Sequence, residues 1–158
     1  TGGPVTLTDP QMSRFFLTYN DVTELVIDAM NHTKAGEIFI QKMDAIAIED
    51  LAEAMIDVFA PAYDHPPTEI NIEETGSRIG ETLDEKILTK QEELRTVEND
   101  SLYAILPEQS EGDDYLDHST LDGFDPAETV VRSSEHADKL SQPDIRHLLR
   151  SEFAGVLA

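Results

Sequence analysis

Val5-Thr6-Leu7-Thr8-Asp9-Pro10 and, a few residues on, Thr18-Tyr19-Asn20-Asp21-Val22 read as a strand, a turn and the start of a helix. The first run is short and β-branched, and Asp9-Pro10 breaks it. Thr18 suits an N-cap, Asp21 three residues on is its capping-box partner, and Leu17 is placed to staple to Val22. Val22, Leu25, Val26, Ala29 and Met30 then recur at helical spacing, which predicts one apolar stripe facing a core. Gly36 ends the segment.

Glu37-Ile38-Phe39-Ile40 reads as a strand and Glu49 to Phe59 as a second helix, with Leu51, Ala52, Met55, Ile56 and Phe59 on one face and Pro61 as its stop. Glu69-Ile70-Asn71-Ile72 is a further strand. Thr82 and Glu85 form a second capping-box pattern, which predicts a short helix through Leu88. Ser101 to Leu106 is the last strand expected. Ser141 as N-cap with Asp144, and Ile145, Leu148, Leu149 and Phe153 on one face, predict a terminal helix that docks on something. Strands alternating with helices give an α/β class. The stretch from Gln109 to Asp125, rich in Asp, Gly and Ser, reads as an exposed crossing.

The 158 residues carry 33 Asp and Glu against 11 Lys and Arg, a net charge of −22, and no cysteine. Disulfides, thiolate zinc sites and a thiol nucleophile are therefore excluded. The charge opposes binding to nucleic acid or an anionic membrane. No apolar run reaches the ~18–20 residues of a membrane span, and the first residues lack the blocks of an export signal, so a cytoplasmic location is expected. The acids are dispersed between well-formed apolar runs, a pattern that resembles proteins of salt-loving archaea. In ~1 M salt the Debye length is about 3 Å, so such charges hardly repel.

Most chemical motifs are missing. There is no Gly-rich dinucleotide fingerprint, no P-loop and no Tyr followed four residues later by Lys. The five histidines lack paired metal-ligand spacing and read as surface groups. Asp113, Asp114, Asp117, Asp122 and Asp125 miss the alternating order of a calcium loop. Against this background two arginines stand out. Arg14 precedes the first helix, and Arg78 lies in Gly76-Ser77-Arg78-Ile79-Gly80-Glu81. Loops at element ends are where α/β folds place ligand contacts, and a guanidinium grips phosphate with two parallel hydrogen bonds. The competing reading is that each arginine simply pairs with one of the many carboxylates.

Val5-Thr6-Leu7-Thr8-Asp9-Pro10 through Met12-Ser13-Arg14-Phe15-Phe16 resembles the C-terminal half of nucleotide-sugar 4,6-dehydratases, the CapD-like extended short-chain dehydrogenases of polysaccharide biosynthesis. Gly36-Glu37-Ile38-Phe39, Ile48-Glu49-Asp50-Leu51-Ala52, Arg78-Ile79-Gly80-Glu81-Thr82-Leu83-Asp84-Glu85 and Val131-Arg132-Ser133-Ser134-Glu135-His136 continue the similarity. Ile79 and Thr82 depart from the Pro and Lys usual in the third motif.

The resemblance implies a UDP-sugar-binding portion over residues 1–106 and a family C-terminal extension over 107–158. It implies that Arg14 and Arg78 hold the diphosphate and that Glu81 contacts the ribose or nearby groups. NAD(P) and the catalytic groups would sit in an N-terminal Rossmann half that this chain lacks, so the chain itself would bind no dinucleotide, hold no metal and carry no catalytic residue. The parent would be a UDP-N-acetylglucosamine 4,6-dehydratase, acting by oxidation at sugar C4, loss of water across C5–C6 and hydride return to C6, and would be a homo-oligomer. The alternatives are a UDP-sugar 4-epimerase fragment and a non-catalytic acidic interaction or oligomerisation module.

Overall fold

The computed structural model describes residues 2–34, 36–108 and 121–157. Their secondary structure is mixed. Strands β1 (Val5–Leu7), β2 (Ser13–Phe15), β3 (Ile38–Gln41), β4 (Ala45–Ala47), β5 (Ile72–Glu74), β6 (Thr96–Glu98), β7 (Leu102–Ile105) and β8 (Asp125–Pro126) are interspersed with four helices. These are α1 (Tyr19–His32), α2 (Ile48–Phe59), α3 (Lys90–Glu93) and α4 (Gln142–Glu152). The chain forms two compact units, one of Thr1–Phe16, Asp44–Glu85 and Ser134–Ala158, the other of Leu17–Met43 and Lys86–Ser133. The units follow tertiary contacts and interleave along the sequence.

In the first unit β1 and β5 pair in parallel, Val5 opposite Ile72 and Leu7 opposite Glu74, while β2 and β4 pair antiparallel, Arg14 opposite Ile46. The core is where α2 meets α4: Ile46, Ala54, Val58, Ile145 and Leu149 are buried together. Ala54 presents only a methyl group at this crossing and is fully buried, which lets the helices approach closely. Phe59 meets Phe153 edge-to-face with centroids 5.4 Å apart. A polar seam runs beside this core, with Gln142 Nε2 donating to Glu53 Oε2 at 2.9 Å and Arg146 Nη1 to Asp57 Oδ2 at 3.1 Å. Thus the terminal helix expected to dock finds α2. Its cap is the one the sequence signals, the Asp144 N–H donating to Ser141 Oγ at 3.4 Å.

The second unit is built on an antiparallel sheet ordered β3-β7-β6-β8. Leu88, Tyr103, Ile105 and Val130 form one buried cluster, and Val97, Ala104, Leu106 and Leu121 another. β7 is buried along its whole length. Lys42 Nζ lies 2.6 Å from Glu98 Oε2 and 4.9 Å from the centre of the Tyr103 ring. The Lys42 hydrogen bond holds the Glu98 carboxyl below the usual carboxylate range; partial burial works in the opposite direction. A depressed native pKa contributes stability above the unfolded value, and that contribution is lost as pH falls through the folded value. Glu98→Gln is therefore expected to cost about 1 kcal/mol at neutral pH. Denaturation curves should show the gap to wild type closing on acidification; a gap independent of pH refutes the assignment.

Three expectations change. Thr82–Glu85 opens no helix: Thr82 Oγ1 donates to the Asp84 carbonyl at 2.8 Å, and the Glu85 carboxylate accepts the Phe15 N–H at 3.1 Å. The same pattern seven residues later does start one, with Glu92 N–H donating to Thr89 Oγ1 at 3.3 Å and Thr89 N–H to Glu92 Oε2 at 2.8 Å. The strand expected at Glu69–Ile72 sits later, at Ile72–Glu74, because a 3₁₀ turn takes Pro67–Glu69. On α1 the reciprocal Thr18–Asp21 cap is present, yet none of its residues is buried, and Val22, Val26 and Met30 are 44%, 52% and 73% exposed. Most of the acidic stretch, 109–120, including Asp113, Asp114 and Asp117, lies outside the described residues. Its end is ordered: Leu121 is buried and Asp122 pairs with Lys34 at 3.6 Å.

Candidate functional site

β1 alternates as a strand must and leads into Thr8, while α2 lies against it. Between them and the loop after β5 opens a cleft of ≈ 460 Å³, lined by Thr6, Thr8, Leu51, Met55, Arg78 and Glu81 among others. α2 therefore uses two faces. Ala54 and Val58 point to α4, while Met55, expected on the buried stripe, is 42% exposed and borders the cleft. An apolar recess of ≈ 240 Å³ adjoins it through Val5 and Met55.

The loop carrying Arg78 is fastened at both ends. On the β5 side, the Thr75 N–H donates to the Leu7 carbonyl at 2.8 Å. Gly76 and Gly80 both have positive φ, 82° and 90°, which a side chain would strain. Between them the Arg78 N–H donates to Glu81 Oε2 at 2.7 Å, and the Glu81 N–H returns to the Arg78 carbonyl at 3.1 Å. The Arg78 guanidinium has no hydrogen-bond or ion-pair partner among the described residues.

Arg14 reaches the same loop from β2. Its Nη1 donates to the carbonyls of Ser13 at 2.7 Å and Leu83 at 2.9 Å, and its Nη2 to that of Thr82 at 2.9 Å. The structure thus brings Arg14 to the segment just beyond Arg78 and Glu81; Arg78 and Glu81 line the cleft, and Arg14 is not among its lining residues. Neither arginine is in an ion pair among the described residues. Chemically, the cleft offers an uncommitted fork of guanidinium donors, a carboxylate able to accept from hydroxyls, and threonine hydroxyls that do both.

Sequence reasoning missed several residues here. Thr6 and Thr8 share a strand face by two-residue alternation, a signal that could have placed them together. Asp84 and Ser134 carry no such signal, since their partners are distant in sequence.

Among the described residues no cluster of three or more His, Asp or Glu could hold a metal ion. Nor do these residues fit a dinucleotide: the parallel pair β1–β5 has no Gly-rich turn leading into a helix, and the other paired strands are antiparallel. Among the described residues no helix is long and apolar enough to cross a membrane.

A family profile described as polysaccharide biosynthesis protein matches residues 1–107, and the chain belongs to that family. It is a CapD-like protein of the extended short-chain dehydrogenase type. It is 41% identical over 106 residues to an uncharacterized membrane protein of Methanocaldococcus jannaschii, covering 67% of this chain and 32% of that one. It is 38% identical over 93 residues to the capsular polysaccharide biosynthesis protein CapD of Staphylococcus aureus, covering 58% and 15%. It is 34% identical over 104 residues to the UDP-glucose 4-epimerase of Rickettsia rickettsii, covering 66% and 28%. The solved structure of Pen from Bacillus thuringiensis superposes on 98% of this chain with a TM-score of 0.79 and 31% identity, and 42% of Pen is covered. The chain spans about a third or less of the length of these curated relatives.

Proposed function

We propose that this chain is the nucleotide-sugar-binding portion of a UDP-sugar-modifying enzyme of the UDP-N-acetylglucosamine 4,6-dehydratase type, working in the cytoplasm at high salt. The observation that carries the reading is the unpartnered Arg78 guanidinium at the wall of a cleft that also holds Glu81, Thr6 and Thr8. A diphosphate supplies the paired oxygens a guanidinium fork matches. Glu81 accepts from a ribose hydroxyl. Arg14 serves the same anion through its positive charge and its hold on Thr82 and Leu83. In this reading residues 1–106 supply the ligand contacts and 107–158 are the extension that braces them.

The global charge of −22 opposes an anionic ligand, but in molar salt that field is screened within about 3 Å, while direct contacts are screened much less. The partner of the chain is the dinucleotide-binding half of a longer polypeptide, which supplies NAD(P) and the catalytic groups. Similarity to a 4-epimerase favours, as a second reading, epimerisation at C4; whether the longer protein releases water from UDP-N-acetylglucosamine separates the two.

The direct test is calorimetric titration of UDP into the 158-residue chain in molar KCl. Arg78→Glu is expected to weaken binding about 30-fold, roughly 2 kcal/mol, as for loss of a charge-assisted contact. An affinity that ignores this reversal, or no UDP binding by wild type, rejects the reading in favour of an interaction module.

A further inference from the structure

The Arg78 loop is fastened to the C-terminal extension through two buried serines. Ser134 is fully buried and Ser13 is 3% exposed. Their Oγ atoms lie 2.7 Å apart, and Ser13 Oγ lies 2.6 Å from Asp84 Oδ1. Each hydroxyl has one proton. With Ser13 donating to the carboxylate, the stronger charge-assisted bond, the Ser134 hydroxyl accepts the Glu85 N–H at 2.9 Å and has its own proton for the Ser13 backbone carbonyl at 3.1 Å or the adjoining Ser13 Oγ. The Ser134 N–H donates to the Glu85 carbonyl at 2.9 Å, and Lys139 Nζ donates to the Ser134 carbonyl. The Ser13 N–H goes to the Leu83 carbonyl at 2.9 Å. Residues 82–85, the stem of the Arg78–Glu81 turn, are thus held by β2 on one side and by Ser134 on the other.

We infer that Ser134 is a positioning residue: through Ser13 and Asp84 it sets the pose of the loop carrying Arg78 and Glu81, and so the affinity for a nucleoside diphosphate. The second half of this statement rests on the reading given under Proposed function. The physical reason is specificity of geometry. A buried hydroxyl has few alternative partners: every acceptor open to Ser134 Oγ here belongs to Ser13, so the Ser13–Asp84 and Ser134–Glu85 bonds hold the stem in one place. The loop itself is exposed and has little packing of its own. Without the serine pair its ordering would have to be supplied when ligand binds, which weakens binding.

The experiment is hydrogen exchange of the 76–85 segment in wild type, Ser134→Ala and Ser13→Ala, in molar KCl, followed by UDP titration of the same samples. Val97→Ala, destabilised in the other compact unit, controls for loss of stability alone. Both serine variants are expected to speed exchange in this segment, leave α2 and α4 protected, and weaken UDP binding roughly tenfold, with Val97→Ala changing neither. Unchanged loop exchange in Ser134→Ala overturns the inference. So does equal loosening in Val97→Ala, which would make the effect one of general stability. If the loop loosens but wild-type protein does not bind UDP, the positioning of the loop stands and the nucleotide assignment falls.

Discussion

Ile145→Asp is expected to abolish cooperative folding of the unit that contains the cleft, and Ile145→Ala to cost about 3 kcal/mol. Ile145 has no exposed surface and packs with Ile46, Ala54, Val58 and Leu149 where α2 crosses α4. Alanine removes three carbons and leaves a void that the surrounding helices cannot wholly fill. A carboxylate there would be buried without a partner, since the Arg146 guanidinium on the neighbouring position already serves Asp57 and Gln142. Against a total stability of ~5–15 kcal/mol for an ordinary domain, the charge is decisive and the truncation is not. The consequence reaches the ligand cleft, because the face of α2 beside Ala54 and Val58, with Leu51 and Met55, forms one wall of it. Chemical denaturation in molar salt measures both variants. His147→Asp, on the exposed side of the same helix, should cost well under 1 kcal/mol. A similarly small cost for Ile145→Ala would mean that α4 does not pack on α2.

What could be read from sequence divides along a physical line. Thr18 with Asp21 and Ser141 with Asp144 are caps formed by groups three residues apart, so the chemistry that starts α1 and α4 is local and visible. Thr82 with Glu85 looks the same. It fails because the Glu85 carboxylate is claimed by Phe15, 70 residues away, and its N–H by Ser134, 49 residues away. Non-local partners of this kind leave no periodicity. The β5 register follows the same rule, set by parallel pairing with β1 and not by its own residues. Periodicity on α1 correctly gave an amphipathic helix but carries no information about what covers its apolar side. At the candidate site, Arg78 was legible because cations are scarce and glycines flank it. The commitment of Arg14 to three backbone carbonyls was not, because acceptors on the main chain have no residue identity.

Transfer from molar KCl to dilute buffer is expected to unfold the protein. Among the described residues, five Lys or Arg side chains pair with carboxylates: Lys34, Lys42, Arg95, Arg132 and Arg146. Across the sequence 33 acids outnumber 11 Lys and Arg three to one, so the carboxylates far exceed the cations available to neutralise them. Two such charges about 10 Å apart repel by roughly 0.4 kcal/mol in unscreened water. In ~0.01 M salt, where the Debye length is about 30 Å, most of that survives; in ~1 M salt, at about 3 Å, almost none does. A few neighbours around each excess charge then sum to on the order of 10 kcal/mol, comparable with the whole stability of a domain. Circular dichroism along a KCl series is the measurement. Full helicity in dilute buffer would show that the acids are tolerated without screening. Acidification in dilute buffer isolates the cause: towards the sequence pI of ≈ 4.2 the repulsion vanishes with the net charge, so structure should return without salt. Recovery on acidification together with recovery in KCl identifies charge repulsion, whereas recovery in KCl alone would assign the effect to salt strengthening apolar burial.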